Sequence, residues 1–124
     1  MTTSASILVA DDNDVSARFL NRLLTREGHH VSVVRSADEV LAACAAQSPD
    51  IVLLDFVAPR GHGFDICRRL KEQASTRFVP VVIVTAQSER DDRLKGIMAG
   101  ADDFLGKPFD PLELHARIQS LVRL

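Results

Sequence analysis

Residues 7–15 read ILVADDNDV, an apolar run closed by Asp11, Asp12 and Asp14 with only Asn13 among them. A chain that buries a strand gains nothing for its core by crowding like charges at the strand's end. Carboxylates held close together repel, and one tends to keep a proton unless a cation lies among them. Acids that follow a strand also cap the next helix or favour the positive end of its dipole. Asp14 fits that second role. Asp11 and Asp12 do so only if nothing elsewhere in the chain calls for them.

The rest of the sequence supplies that call. Short apolar runs recur at SILVA (6–10), HVSVV (30–34), IVLLD (51–55), PVVIVTA (80–86) and DFLG (103–106). Three are nearly continuous Val, Ile and Leu, the pattern of strands covered on both faces. Between them lie amphipathic segments. DVSARFLNRLLTRE places Val15, Phe19, Leu20, Leu23 and Leu24 on roughly one helical face and stops at Gly28. SADEVLAACAAQ opens with Ser36 and Glu39 at capping-box spacing. GFDICRRLKEQ and SERDDRLKGIMAG behave likewise, and the last helix begins with Asp110 followed by Pro111. Strands alternating with helices predict an α/β fold, a flavodoxin-like doubly wound sheet of five parallel strands in the order 2-1-3-4-5.

In such sheets ligands sit at the carboxyl ends of the strands, where the strand order reverses. Those ends carry Asp11 and Asp12 on the first strand, Asp55 on the third, Thr85 on the fourth and Lys107 after the fifth. The first and third strands are neighbours in this order, about 4.8 Å apart, so three carboxylates gather at one rim. A hard divalent cation such as Mg²⁺ relieves their conflict and also accepts a phosphate. Thr85 and Lys107 add a hydroxyl and a positive charge, which completes a cradle for a phosphoryl group.

Composition narrows the function classes. The chain has 124 residues, 46% apolar, with 15 basic and 17 acidic side chains, so it is expected to form one domain, residues 1–124, with a core of its own. A net charge of −2 gives no sign of a nucleic-acid or polybasic membrane surface. Cys44 and Cys67 match neither a redox pair nor a zinc cluster and read as buried free thiols. The N-terminus has neither the basic start nor the long apolar run of a signal or spanning helix, and a cytoplasmic location is expected. His29, His30, His62 and His115 lack ligand spacing and read as surface residues.

DD at 11 and 12, LLDFVAPRGHG around Asp55, VTA at 84–86 and DDFLGKPF at 102–109 stand in order at strand ends. With them the chain resembles the receiver domains of bacterial two-component response regulators. GFDICRRLKE, RFVPVVIVTA and the ending RIQSLVRL are similar to receivers that precede diguanylate cyclase domains. The resemblance implies a phosphoacceptor rather than a turnover enzyme. Asp55 would take a phosphoryl group from the phosphohistidine of a cognate histidine kinase or phosphotransfer protein. Asp12, Asp55 and the main-chain carbonyl of Val57 would hold Mg²⁺ directly, and Asp11 would act largely through water. Lys107 would contact the phosphoryl oxygens and Thr85 would close on them. A cis Lys107–Pro108 bond is implied as well.

Phe104 occupies the family's switch-aromatic position, though core packing explains it equally well. Phosphorylation is expected to alter the face of the fourth helix, fifth strand and fifth helix, where alternating charges from Glu89 to Lys95 suit a homodimer or partner contact. No direct nucleic-acid or membrane contact is expected. Ala58 and His62 depart from the Met and Asp common in the family, which bears on partner choice. Val57 offers no polar group to steer an attacking water, leaving Gln87 nearest, so the phosphorylated state is expected to be long-lived. A flavodoxin would need a hydroxyl- and glycine-rich first loop where this chain has ADDND. A dehalogenase-like phosphatase would need an aspartate at Val57.

Overall fold

A computed structural model describes residues 4–55, 62–85 and 90–122, with backbone alone at 62, 85 and 90–93. Its elements alternate along the chain: β1 (Ser6–Asp11), α1 (Asp14–Arg26), β2 (His30–Val34), α2 (Ala37–Ala46), β3 (Ile51–Asp55), α3 (His62–Glu72), β4 (Val81–Thr85), α4 (Arg90–Ala99), β5 (Asp103–Gly106) and α5 (Pro111–Val122). Every strand pairing is parallel and the order is β2-β1-β3-β4-β5. The expected topology is thus found. The direction of winding reverses between β1 and β3, the pair that carries the acids.

The apolar runs are continuous because the sheet buries both faces. Successive side chains of a strand point to opposite sides. Leu8, Ala10, Val52, Leu54 and Ile83 join Val40, Cys44, Ile66 and Leu70 from α2 and α3 in one cluster. Ile7, Val9, Leu53, Val82 and Val84 join Leu20, Leu24, Leu114 and Ile118 from α1 and α5 in the other. Cys44 and Cys67 are free thiols in the first core. Burial raises both thiols, Cys67 to about 11, so they stay protonated.

Helix ends follow the sequence with one exchange of roles. Asn13, not Asp14, caps α1: its side-chain oxygen accepts from the N–H groups of Val15 (2.9 Å) and Ser16 (3.0 Å). Asp14 lies in the first turn, where its charge favours the helix dipole, and pairs with Arg35. Ser36 caps α2, its Oγ accepting from the Glu39 N–H at 3.2 Å. Gly28 follows α1 at φ 96°, a left-handed turn that suits glycine.

Three further links fix the ends of the sheet. Lys71 on α3 donates to the Val79 carbonyl and pairs with Asp102, each at 2.7 Å, while Asp102 accepts the Val81 N–H at 2.7 Å. Arg117 on α5 grips both carboxylate oxygens of Asp103 at 2.7 Å. Asp103 Oδ1 also accepts the Phe104 N–H at 2.8 Å.

Two expectations are corrected. Val15 and Phe19 are 78% and 51% exposed rather than part of the buried face of α1, which consists of Ala17, Leu20 and Leu24. At about 100° per residue, Phe19 lies a quarter-turn or more from Leu20, and Val15 further round. His29 is buried rather than on the surface, because its Nδ1 accepts the Ala5 N–H at 3.0 Å where β1 and β2 begin. Burial lowers its pKa, which keeps the ring neutral. His30 is exposed, His115 is half-buried beside Glu27, and the side chain of His62 lies outside the described residues. No helix among the described residues is long and apolar enough to cross a membrane.

Leu53 is fully buried at the centre of the sheet. Leu53→Ala should lower unfolding free energy by about 3 kcal/mol, and Asn13→Ala by only ~1 kcal/mol, read from urea denaturation. Equal losses would contradict the two-sided core.

Candidate functional site

Asp11 and Asp55 are direct register partners on β1 and β3. Asp11 is 1% exposed and is held in place: Oδ1 accepts the Asn13 N–H at 2.9 Å, and Oδ2 accepts the Ser16 hydroxyl. Asp12 is exposed and lines the same cleft. Asp14 points away, to Arg35. Of the three acids in the opening stretch, then, two turn into the rim and one serves α1.

Lys107, carried past the end of β5, lays its ammonium against Asp55 Oδ2. The peptide bond from Lys107 to Pro108 is cis, as expected. An open cleft of about 830 Å³ joins Asp11, Asp12, Asp55 and Lys107. Val15 and Phe19 stand on the same wall, and the Phe19 ring meets that of Phe109 with centroids 6.2 Å apart. The sequence-predicted Asp11, Asp12, Asp55 and Lys107 are therefore brought together. Val57, Gln87 and the side chain of Thr85 lie outside the described residues.

Sequence reasoning missed Ser16, Val15 and Phe19 as cleft residues. Ser16 carries no motif of its own, and its role depends on the first turn of α1 folding back onto Asp11. Periodicity groups the two apolar side chains with Leu20 and Leu24, because it does not separate a buried stripe from an exposed one beside it.

The Asp55 carboxyl has its pKa raised to about 6. Burial is the largest cause, opposed by the Lys107 contact and reinforced by the charge of Asp11. Such a site suits a cation. Among the described residues no three His, Cys, Asp or Glu side chains converge closely enough to hold a metal ion by themselves. Mg²⁺ needs less than that: one or two carboxylates, with waters and substrate phosphate at its other positions. The close acidic pair, with Asp12 at the edge of the cleft, fits that requirement and offers none of the sulfur or imidazole that zinc prefers.

The same shift makes a stability prediction. Between its unfolded value near 3.8 and about 6, folded Asp55 keeps a proton that the unfolded chain has lost. Its contribution to stability is full below pH 3.8 and lost as the pH rises through about 6. Asp55→Asn removes that ionisation and should stabilise the metal-free protein at pH 7–8 by on the order of 3 kcal/mol, from roughly 1.4 kcal/mol per pK unit. The gain should vanish near pH 4. Unfolding in chelator across that range measures it, and a pH-independent difference would contradict the assignment.

Comparison with known proteins places this geometry. The family model for the response regulator receiver domain matches residues 7–119. The response regulator PleD of Caulobacter vibrioides is 46% identical over 120 residues, which cover 97% of this chain and 26% of PleD. This chain thus spans about a quarter of that relative's length. The crystallised receiver domain of a sensor histidine kinase from Pseudomonas aeruginosa, with a magnesium ion coordinated in its active-site cleft, superposes with a TM-score of 0.88 at 28% identity. That match covers 98% of this chain and 100% of the other. The chemotaxis response regulator CheY4 of Vibrio cholerae gives a TM-score of 0.86 at 25% identity, over 96% of this chain and 99% of its own. By the matched model, by its kinship with PleD and by its fold, the chain belongs to the response regulator receiver domain family of two-component signalling.

Proposed function

We propose that the chain is a single receiver domain over residues 1–124 whose Asp55 accepts a phosphoryl group from the phosphohistidine of a histidine kinase or phosphotransfer protein. The observation that carries this reading is the placement of Asp55. It is a nearly buried carboxylate at the end of β3, paired in register with Asp11, touched by Lys107 and open to the cleft. A carboxylate oxygen of Asp55 attacks phosphorus, the P–N bond breaks, and the electron pair returns to the donor imidazole. Lys107 then leaves its pairing with Asp55 to meet the phosphoryl oxygens as their charge develops.

Asp12, Asp55 and the Val57 carbonyl would hold Mg²⁺, with Asp11 acting through water. The bound ion would neutralise charge between the carboxylates and the incoming phosphate. Asp11, fixed by Ser16 and Asn13, keeps its side chain in place beside Asp55. Thr85 would close on the bound phosphoryl group. Exposed Val15 and Phe19 give a docking partner an apolar edge on the cleft, the kind of surface that marks an interaction site.

The output face would be α4, β5 and α5, acting on an attached output domain, on a partner or on a second copy of the chain. Of the charges expected to pair there, Glu89 to Lys95, those from Glu89 to Arg93 have side chains outside the described residues, and Lys95 is exposed. What supports an interface is instead the exposed row Leu94, Ile97 and Met98 on α4, the last 84% exposed. Their spacing puts them on one helical stripe. The setting would be cytoplasmic, with no direct contact to nucleic acid or membrane.

Acetyl phosphate with Mg²⁺ should add one phosphoryl mass to the protein and none to Asp55→Asn, measured on the intact chain. Undiminished labelling of Asp55→Asn would overturn the assignment. Asp12→Asn should weaken Mg²⁺ affinity at least tenfold in titration, while Asp14→Asn should leave it unchanged. For the output face, sedimentation with beryllofluoride should show a mass increase that Ile97→Glu abolishes; an unchanged mass in the parent protein would remove the dimer.

A further inference from the structure

Gly96 lies in the interior of α4 and is buried. Glycine is the least favourable residue in a helix interior after proline, so its presence at such a position asks for a packing reason. Phe104 supplies one. A Cβ placed at Gly96 would stand 2.1 Å from Cε1 and 2.5 Å from Cζ of the Phe104 ring. Those distances are far inside van der Waals contact. The ring therefore fills the volume that any other side chain at 96 would take. Phe104 is half-buried there and packs against the core cluster that includes Ala99 and Ile83.

We propose that Gly96 is the socket that holds the Phe104 ring inward against α4 before any phosphorylation, and so sets the resting state of the α4–β5–α5 face. The resemblance to receiver domains implies that Phe104 turns inward once phosphate draws Thr85 away. In this chain the ring already lies against α4, in the volume that the missing Cβ leaves open. The atoms that an alanine would displace are the far end of a single ring on the edge strand, half-open to solvent. Relief comes by swinging that ring outward rather than by moving α4. A ligand shifts a two-state equilibrium only by its preference for one state. A ring already held inward leaves phosphorylation less to shift on this face. The functional half of this inference rests on the phosphoacceptor reading above; the socket itself rests on the contact between α4 and β5.

Thermal unfolding of four proteins separates the two. Gly96→Ala should lower Tm in the parent protein, where it collides with the ring, and raise Tm in a Phe104→Ala background, where only helix propensity remains. A rise in both backgrounds would overturn the socket. In the parent protein, contacts between the Phe104 ring protons and the Gly96 α-protons should appear in nuclear Overhauser spectra without phosphate; their absence would overturn it with no variant needed. Gly96→Ala should accept phosphate at Asp55 as the parent does. Amide exchange over residues 94–106 should be faster in the resting variant than in the resting parent. Identical exchange in both proteins would sink the claim that Gly96 sets the resting state. Failure of the parent to label at Asp55 would refute the phosphoacceptor reading and leave the socket to be decided by the sign of the Tm shifts.

Discussion

The repulsion between Asp11 and Asp55 is the constraint around which this molecule is arranged. Parallel pairing of β1 with β3 sets the two acids side by side at a strand end that is closed to water on one flank. Left alone, such a pair would protonate or splay apart. Three devices keep it in place: Ser16 and the Asn13 N–H bind Asp11, Lys107 lies against Asp55, and the helices seal both faces of the sheet beneath. Each comes from a different element. The site therefore exists only when the whole sheet has formed, and a charge conflict that works against the fold leaves a rim suited to a cation.

Much of the fold was legible because the physics that sets it is local or periodic. Unbroken Val-Ile-Leu runs announce strands covered on both sides, and β2, β3 and β5 begin and end where the apolar runs do. Ser36, Gly28 and Asp110-Pro111 mark helix ends through side-chain and backbone chemistry that needs no partner far away in sequence. Asp11, Asp12, Asp55 and Lys107 could be placed together because strand order alone brings strand ends together.

What stayed hidden depends on contacts that sequence spacing does not encode. Val15 and Phe19 share the periodicity of the core stripe and differ only in which way α1 is rolled against the sheet. His29 looks like any loop histidine until the start of β1 is laid beside it. Asn13 outcompetes Asp14 as a cap because its backbone is extended there while Asp14 is already helical. Gly96 is the sharpest case: in the sequence it is a weak point in a helix, and only the approach of Phe104 from β5 gives it a purpose.

The grip of Arg117 on Asp103 bears on how copies of this protein can meet. β2 and β5 are the open borders of the sheet, and unpaired main-chain groups at such borders invite strands from other chains to add on. At β5 the Phe104 N–H is occupied by the Asp103 carboxylate, which Arg117 holds in turn. The strand is four residues long and runs straight into Lys107 and Pro108. A neighbouring strand would find a short, charged margin with one of its donors already taken. Growth of the sheet across molecules is thereby discouraged on this side, and self-recognition is left to side chains on helices, where it can be reversed.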